Sequence, residues 1–259
     1  MIIISDIHTR MKSILSIEAV EAELASDTDN TIIVTGDITH KAKEDEYLKI
    51  SQWFVSLLDR GVKIVLTSGN HDITKRFPIL NVKSKSGRKR YSSLVELIAR
   101  QSIVVESKDS FDIVYRIGND VFCALRSTHG KLYKGLRIKK KQYEWASGVL
   151  IRNGFVKANG FRLHLVTHHS LWEYKEDRHG HLNKRKRLAK KFLCPHEFST
   201  AINGHNHRFH EELKSLKGKC TLYHIQAPTL SEDRTKGRFQ AGFVRWYPER
   251  ENSAFLIPV

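Results

Sequence analysis

Five short groups of aspartate, asparagine and histidine each follow directly after an apolar run of the chain. They are Asp6 with His8, Asp37, Asn70 with His71 and Asp72, His168 with His169, and His205 with His207. Carboxylates, a carboxamide and imidazoles without a thiolate are typical of a metal site with mixed oxygen and nitrogen ligands. A single zinc-like ion takes about four ligands, and more candidates than that are present. The surplus predicts two ions that share a carboxylate, which suits phosphoryl displacement.

The apolar runs before these groups are predicted strands. MIIIS leads to Asp6, TIIVTG to Asp37 and VKIVLTSG to Asn70, while FRLHLVT and STAING lead to the later histidines. Ligands collect at the carboxyl ends of strands in open α/β sheets, so we expect these groups to meet at one edge. Since side chains repeat with period two along a strand, Asp6 and His8 are predicted to point to the same side and reach one cation.

Helices alternate with strands in the first half of the chain, and β segments dominate the middle and the end. Helical spacing of apolar residues recurs in EDEYLKISQWFVSLLDRG, and helices are also predicted over KSILSIEAVEAELAS, SSLVELIAR and KKKQYEWASGVLIRNG. This pattern predicts a layered α/β fold. Because no linker composition interrupts the pattern, we predict one domain over residues 1–259.

The order D-x-H, G-D, G-N-H-D, H and G-H-x-H, from Asp6 to His207, resembles the calcineurin-like metallophosphoesterase superfamily. The pair formed by G-N-H-D and the distant G-H-N-H is highly specific for that superfamily. The resemblance implies a four-layer α-β-β-α sandwich, with two mixed β-sheets flanked by helices and a dinuclear metal centre at one edge.

The resemblance also implies a role for each residue of the five groups. Asp6, His8 and His207 would hold the first ion, Asp37 would bridge, and Asn70, His168 and His205 would hold the second ion. His71 would face the scissile phosphate as a catalytic residue, and Asp72 would hydrogen-bond and orient that histidine. The family usually takes the first histidine after the strand, which favours His168 over His169 as the ligand.

The implied chemistry is metal-assisted hydrolysis of a phosphoric ester by two divalent ions. Mn²⁺ is the expected metal, although Fe, Zn, Ni or Co also suit a nitrogen and oxygen site. The aspartates must be ionised and the ligating imidazoles neutral to bind metal, so activity should fall in acid.

Weaker signals concern the type of phosphoesterase. The segments around helix EDEYLKISQWFVSLLDRG, residues Gln142 and Trp145, and the closing β segments resemble class III cyclic-nucleotide phosphodiesterases. That group usually has prolines where this chain has Ser170 and Leu171, and an acid where it has His40. A G-D-x-x-H form occurs in the double-strand-break repair nucleases of the superfamily.

The chain carries 44 Lys and Arg against 28 Asp and Glu, a net charge of +16 that exceeds what solubility requires. Much of the excess lies in KSKSGRKR, KLYKGLRIKKK and RHGHLNKRKRLAKK. A solvated surface explains such runs, but so does attraction to a polyanion such as nucleic acid. The candidate substrate-binding residues, in predicted basic loops beside the site or in the site itself, are His40, His169, Lys83, Lys85, Arg88, Lys89, Arg90, Lys184, Arg185, Lys186 and Arg187.

These observations favour a phosphodiesterase that acts on nucleic acid or a nucleotide, with nuclease activity ahead of cyclic-nucleotide cleavage. A phosphomonoesterase or protein phosphatase is less favoured, because G-D-x-V-D-R-G and R-G-N-H-E are replaced by GDITHKA and SGNHD. A non-catalytic binding module is the remaining alternative, although every ligand position of the family pattern is filled.

The three widely spaced cysteines favour a reducing compartment over a disulfide scaffold or a cysteine zinc site. The N-terminus lacks the pattern of a signal peptide, and the apolar runs are too short to cross a bilayer. We therefore expect a cytoplasmic protein without membrane contact. The pattern leaves the oligomeric state open.

Overall fold

The computed structural model describes residues 1–9, 14–25, 30–76, 81–83, 85–128, 136–172, 181–182, 184–216, 220–231, 240–249 and 253–259. The strands are β1 (Ile2–Ile4), β2 (Thr31–Val34), β3 (Lys63–Leu66), β4 (Thr74–Arg76), β5 (Asn81–Lys83), β6 (Val104–Lys108), β7 (Asp112–Ile117), β8 (Asp120–Ala124), β9 (Arg162–Val166), β10 (Thr200–Asn203), β11 (His210–Ser215), β12 (Thr221–Gln226), β13 (Gly242–Trp246) and β14 (Ala254–Pro258). The helices are α1 (Ile14–Ala25), α2 (Glu44–Asp59), α3 (Asn70–Ile73), α4 (Lys85–Ile98), α5 (Lys140–Arg152) and α6 (Arg185–Leu188), with a 3-10 turn at Lys157–Asn159 and a π-helical turn at Ala189–Leu193. None of the described helices is long and apolar enough to cross a membrane.

The first sheet has five strands in the order β14-β13-β1-β2-β3. Strands β1, β2 and β3 run parallel, and Ile4, Val34 and Leu66 lie side by side at their carboxyl ends. Every residue of β1 and β2 is buried. Burial on both faces explains why these segments are continuous apolar runs rather than alternating ones.

The second sheet has seven strands in the order β11-β12-β10-β9-β8-β7-β6. Its four central strands, β12, β10, β9 and β8, run parallel, and the outer strands β11, β7 and β6 pair antiparallel. Successive residues point to opposite faces. Tyr115 and Phe122 join the large core shared with the first sheet, whereas Val114 and Cys123 join a second core with α5.

Helices cover the outer faces of both sheets. Ile50, Phe54 and Leu57 of α2 pack into the large core, and Ala146 and Val149 of α5 pack into the second core. Each such large apolar side chain contributes roughly 1.5–3 kcal/mol when it is fully buried. Two mixed sheets flanked by helices confirm the predicted α-β-β-α fold. The assignment of residues 1–259 to one domain stays a prediction.

Two basic segments that were predicted as loops are partly helical. Helix α4 starts at Lys85 within KSKSGRKR, and its apolar face begins with Gly87 and Tyr91, which are buried. The dense charges hide that spacing in the sequence. The later run forms α6 and the π-helical turn. Strand β11 was not predicted, because HEELKS has the polar composition of an edge strand.

A disulfide bond joins Cys194 to Cys220, whose Cα atoms are 5.4 Å apart. It ties the end of the π-helical turn to the start of β12. The expectation of an entirely reduced chain is therefore wrong for this pair, and only Cys123 is a free thiol. Structural disulfides persist mainly in oxidising compartments, so the cysteines no longer argue for a reducing one. The cytoplasmic location stays a prediction.

Candidate metal centre

The parallel strands of both sheets deliver the predicted ligands to one edge. Asp6, Asp37 and Asn70 follow the aligned ends of β1, β2 and β3. His168 and His205 follow the aligned ends of β9 and β10 in the facing sheet. The two sheets therefore hold the ligand loops between them, as expected for ligands at the carboxyl ends of strands.

Five of the predicted ligands have left-handed backbone. The φ angles are 51° for Asp6, 46° for His8, 51° for Asp37, 73° for His205 and 61° for His207. Residues with side chains adopt this conformation rarely, and such positions cluster at functional sites. The finding corrects the period-two explanation for Asp6 and His8. Strand β1 ends at Ile4, and the loop conformation directs the two side chains.

Glycines allow the ligand loops to approach closely. A Cβ atom on Gly69 would lie 2.0 Å from Oδ1 of Asp37, and one on Gly204 would lie 1.7 Å from Oγ of Ser5. No side chain fits at either position without displacing a neighbour. The glycines of G-N-H-D and G-H-N-H are therefore required by packing around the ligands.

Asp6, His8 and His207 form the first ligand set. Their ligand atoms lie within 4.8 Å of one another. Oδ1 of Asp6 is 3.1 Å from Nε2 of His207 and 3.6 Å from Nε2 of His8. Although Asp6 Oδ1 is buried, it makes no hydrogen bond within the described part of the chain. A buried carboxylate oxygen surrounded by imidazole nitrogens is suited to a bound cation.

Asp37, Asn70, His168 and His205 form the second set around Nε2 of His168. This nitrogen is 3.3 Å from Oδ2 of Asp37, 3.2 Å from Oδ1 of Asn70 and 3.1 Å from Nδ1 of His205. The other ring nitrogen, Nδ1, donates to the carbonyl oxygen of Thr35 at 2.9 Å. In the neutral ring Nε2 then carries a lone pair that faces three further acceptors. Such convergence of acceptors fits a divalent ion.

The carboxylates of Asp6 and Asp37 have the same hydrogen-bonding arrangement. Asp6 accepts the backbone N–H of His205 on Oδ2 at 2.9 Å, and Asp37 accepts that of His71 on Oδ1 at 2.7 Å. This leaves Asp6 Oδ1 and Asp37 Oδ2 directed at the histidines. Ligand atoms of Asp6, Asp37 and His168 also lie within 4.8 Å of one another, so the predicted bridging residue Asp37 lies next to a member of each predicted set.

The charges in the centre depend on one another. Burial raises the pKa of Asp6, but the imidazole of His207 outweighs it and holds the pKa well below its usual range. Burial also raises the pKa of Asp37, but His168 and His71 outweigh it and lower the pKa. Conversely, burial lowers the pKa of His168, but the carboxylates of Asp37 and Asp6 raise it to about 9. The ionised carboxylates therefore attract positive charge to this position.

His71 and Asp72 differ from the predicted arrangement. Nδ1 of His71 lies 2.7 Å from the carbonyl oxygen of His40, which accepts its proton. The carboxylate of Asp72 instead accepts the backbone N–H groups of Asp37, Thr39 and Gly69 at 2.8–3.0 Å. The expectation that Asp72 orients the His71 ring is therefore corrected, because this carboxylate fixes the backbone of two ligand loops. Burial and the Asp37 carboxylate raise the pKa of Asp72 to about 7, while the donated N–H groups oppose this.

His40 and His169 lie beside the two ligand sets. The ring of His40 stacks on that of His71 at 5.5 Å between centroids and is 5.8 Å from that of His8. His169 is buried, and its Nδ1 is 2.8 Å from Oγ of Ser127. Its ring is 4.3 Å from that of His205. The contacts of His168 with both carboxylate and carboxamide oxygens favour His168 as the ligand.

The predicted basic residues of α4 take different positions. Lys85 and Lys89 are exposed. Arg88 lies over the ring of Phe111 at 5.1 Å, and Arg90 donates to the Ala42 carbonyl and pairs with Glu44 at 3.0 Å. Arg90 is thus engaged in holding the loop after His40. Lys83 belongs to β5, and its side chain lies outside the described residues.

The basic residues around α6 divide between two cavities. Lys184 and Arg187 line a cavity of about 240 Å³ together with Arg137, Lys139 and Lys140. Arg185 and Lys186 line another, of about 330 Å³, with Trp172 and Lys190. Two basic runs that are distant in the sequence therefore meet at the first cavity. Residues 131–135, 178–180 and 183 of these runs lie outside the described part.

Sequence reasoning missed the groups that support the ligands. The carbonyl of Thr35 holds His168, and the hydroxyl of Ser127 holds His169. The hydroxyl of Ser5 hydrogen-bonds Oδ2 of Asp6. A backbone carbonyl carries no sequence signal, and Ser127 lies far along the chain from its partner. Only the position of Ser5 within the S-D-I-H group could have suggested its role.

A family model described as calcineurin-like phosphoesterase matches residues 1–209 of the chain. No curated protein matches the chain. Among solved structures, a dimetal phosphatase from Danio rerio has a TM-score of 0.63 at 12% identity, covering 95% of this chain and 92% of its own.

Two further structures are similar at low identity. A purple acid phosphatase, PPD1, from yellow lupin (Lupinus luteus) seeds has a TM-score of 0.59 at 13% identity, covering 87% of this chain and 43% of the lupin chain. GAP50, the anchor in the inner membrane complex of Plasmodium, has a TM-score of 0.52 at 11% identity, covering 89% of this chain and 71% of its own. These structural matches show the fold alone.

Proposed function

Because the chain belongs to the calcineurin-like phosphoesterase family, we propose that it is a phosphodiesterase that cleaves nucleic acid at a dinuclear metal centre. The family consists of dinuclear metal-dependent hydrolases. Metal-dependent hydrolysis follows from membership of the family, and what we propose in addition is a polymeric phosphodiester substrate. The observation that carries the proposal is the meeting of two basic segments in one cavity anchored to the ligand loops.

The predicted ligand residues would bind the two metal ions. Asp6, His8 and His207 would hold one ion, Asn70, His168 and His205 the other, and Asp37 would bridge. When bound, the ions neutralise charge that develops on the phosphoryl oxygens and activate water for attack. The oxygen and nitrogen atoms of these side chains would coordinate the ions, and Mn²⁺ is the proposed metal.

His71 would supply a proton to the leaving group. Its Nδ1–H donates to the His40 carbonyl, so Nε2 is the nitrogen left to face a substrate. Nε2 lies 4.0 Å from Oδ2 of Asp37, at the border of the ligand set. Water adds to phosphorus and loses a proton to solvent, the bond to the sugar oxygen breaks, and protonated Nε2 gives its proton to that oxygen.

Backbone hydrogen bonds connect the basic cavity to the ligand loops. The N–H of Arg137 donates to the carbonyl of Ser127 at 2.9 Å, and the hydroxyl of Ser127 contacts His169. On the other side, the N–H of Leu182 donates to the carbonyl of Ser170 at 2.7 Å, two residues before Lys184. Both basic segments therefore start from the loops next to His168.

The positive charge of the cavity suits the binding of further phosphate groups of the substrate, in addition to the phosphate at the metal centre. Its five basic residues are Arg137, Lys139, Lys140, Lys184 and Arg187. Guanidinium and ammonium groups such as these are suited to binding phosphate oxygens. A small cyclic nucleotide needs no such second phosphate site, whereas a polynucleotide supplies one.

Gln142 and Trp145, which resemble residues of cyclic-nucleotide phosphodiesterases, make structural contacts here. The Gln142 amide donates to Oδ1 of Asp112 at 2.6 Å, and the Trp145 indole donates to Glu106 at 2.7 Å. They therefore add no evidence for a cyclic-nucleotide substrate. Three alternatives to the proposal are tested below. They are a cyclic-nucleotide substrate, a phosphomonoester substrate and a non-catalytic role.

The test is a substrate panel with Mn²⁺, comprising a nitrophenyl phosphodiester, its monoester, cyclic AMP, single-stranded DNA, duplex DNA and RNA. We expect a nucleic acid to be cleaved with the highest kcat/KM, and binding to weaken steeply between about 50 and about 300 mM salt. A clear preference for cyclic AMP or for the monoester would overturn the proposal. Binding of Mn²⁺ without hydrolysis of any ester would favour a non-catalytic role.

Charge-neutral variants test the cavity itself. Arg137→Gln with Arg187→Gln should raise KM for nucleic acid and lower the salt slope by about 0.7–0.9 for each phosphate contact removed. Hydrolysis of the small nitrophenyl diester should stay unchanged. Lys157→Gln is the matched control, because Lys157 is exposed in the 3-10 turn before β9, at the opposite edge of the sheet. Equal effects of both changes would assign the basic residues to ordinary solvated surface.

A further inference from the structure

A second group of metal-binding residue types lies outside the centre and outside residues 1–209. It consists of His210 and Glu212 on β11 and His224 on β12. Glu212 is directly opposite His224 in the antiparallel ladder, and His210 is two residues from Glu212. Because strand side chains alternate, all three lie on the same face of this two-strand edge.

The three side chains converge on one point. One ligand atom from each lies within 4.8 Å of the other two. Nε2 of His210 contacts Oε1 of Glu212, and the imidazole centroids of His210 and His224 are 6.2 Å apart. Zinc bonds of about 2.1 Å place tetrahedral ligand atoms about 3.4 Å apart, so small side-chain rotations would close the set on an ion.

The surroundings of His224 suit a ligand. Its Nε2 lies 2.5 Å from Oδ1 of Asn203, a carboxamide oxygen that accepts the Nε2 proton and thereby fixes the tautomer of the ring. The ring of Trp172 packs against the imidazole at 4.6 Å and limits its rotation. Burial lowers the pKa of His224 to about 3, so the ring is neutral at physiological pH.

Glu212 supplies the negative charge of the group. Burial raises its pKa, but hydrogen bonds from Lys214 and His210 outweigh this and lower the pKa below its ordinary value. Nζ of Lys214 is 2.7 Å from Oε1 of Glu212. Lys214 is therefore the competitor for this carboxylate. A metal ion would have to replace Lys214 as the partner of Glu212.

We propose that His210, Glu212 and His224 bind a third divalent ion of the zinc type, separate from the two ions of the catalytic centre. Two imidazoles and a carboxylate, with one open position for water, match a mononuclear zinc site. The ion would fasten β11 to β12 at the edge of the second sheet. Through Asn203 it would also steady the residue that precedes Gly204 and His205.

Metal content measures the proposal directly. Wild-type protein stripped with a chelator and reloaded with Zn²⁺ should contain three ions per chain by plasma mass spectrometry. His210→Gln and Glu212→Gln should each lose one ion and keep two. The matched control is Glu211→Gln, because Glu211 is the next residue of β11 on the opposite face, where it accepts from the Tyr223 hydroxyl. This control should keep all three ions.

A crystal of the wild-type protein avoids dependence on the folding of any variant. Anomalous diffraction at the zinc edge should show a peak bonded to His210, Glu212 and His224, separate from those at the catalytic centre. Two ions per chain in the wild type, an unchanged count in both variants, or the absence of this anomalous peak would overturn the proposal. These readouts do not involve hydrolysis, so they are independent of the proposed substrate.

Discussion

Two buried clusters of aspartate and histidine in this molecule handle charge in opposite ways. Asp120 on β8 accepts from Nε and Nη2 of Arg162 at 2.7 and 2.8 Å and lies 2.9 Å from Nε2 of His164. The guanidinium completes this cluster within the chain. At the strand-end centre, Asp6 and Asp37 face imidazoles, with no described Lys or Arg in contact with either carboxylate.

The two clusters differ in whether the chain itself supplies the positive charge that compensates the carboxylates. Both clusters contain buried aspartate and histidine, but Asp6 Oδ1 has no hydrogen bond among the described residues, whereas both oxygens of Asp120 are bonded. Buried carboxylates need compensating positive charge. The chain supplies it at Asp120, and a metal would supply it at Asp6 and Asp37.

Asp37→Asn should give the largest effect. The change keeps the shape of the side chain but removes the charge that would bridge two ions. We expect hydrolysis of the nitrophenyl diester to fall by about a thousandfold or more, since metal stabilisation of the transition state is worth several kcal/mol. Asp120→Asn is the matched control and should keep activity in the folded fraction. If the two variants lose activity equally, the contrast between the clusters is wrong.

His71→Gln should come next in size. Loss of the proton donor should lower kcat by roughly a hundredfold to ten-thousandfold for an alkyl or sugar leaving group. The loss should be much smaller for a nitrophenyl leaving group, which departs without a proton. Rates for the two kinds of diester, measured side by side, provide the check. A uniform loss for both would assign His71 to metal binding or packing instead.

Asp120→Asn should change stability rather than chemistry. Loss of the charge-assisted hydrogen bonds between the buried Asp120 and the half-buried Arg162 should lower the free energy of unfolding by about 1.5–3 kcal/mol. Denaturant titration followed by circular dichroism measures this. A change below about 0.5 kcal/mol would contradict the structural role.

The difference in the free energy of unfolding between wild type and Asp120→Asn should depend on pH in a defined direction. Burial raises the pKa of Asp120, but the hydrogen bonds from Arg162 and His164 outweigh this and lower the pKa. Its stabilisation is therefore complete above the pKa of the unfolded chain and is lost as the pH falls through the folded pKa. The gap between wild type and Asp120→Asn should be full at neutral pH and shrink below about pH 4. A gap that grows in acid would contradict the assignment.

Much of the fold and of the centre could be predicted because both depend on local patterns. Apolar runs marked the buried strands, and residues such as Asp6 and His168 stand where parallel strands end. The meeting of these groups follows from strand direction alone. What could not be predicted depends on contacts across the chain. The role of Asp72 at three backbone N–H groups, the Thr35 carbonyl and the Cys194–Cys220 bond leave no local pattern.

The basic segments show the same limit. Their charge was visible in the sequence, but the cavity that joins Arg137 to Arg187 depends on contacts across the chain, such as the hydrogen bonds from Arg137 to Ser127 and from Leu182 to Ser170. The helical face of α4 was hidden by lysines and arginines on its exposed side. The left-handed backbone of Asp6 and His8 was likewise invisible, because a strand followed by a turn has no marker other than glycine.

Electron paramagnetic resonance of the Mn²⁺-loaded protein distinguishes a dinuclear centre at these strand ends from separately bound metal ions. Two Mn²⁺ ions bridged by Asp37 should give the broad multiline spectrum of an exchange-coupled pair, and Asp37→Asn should abolish the coupling while Asp120→Asn preserves it. A wild-type spectrum containing only the six lines of isolated Mn²⁺ would contradict a dinuclear centre at these strand ends.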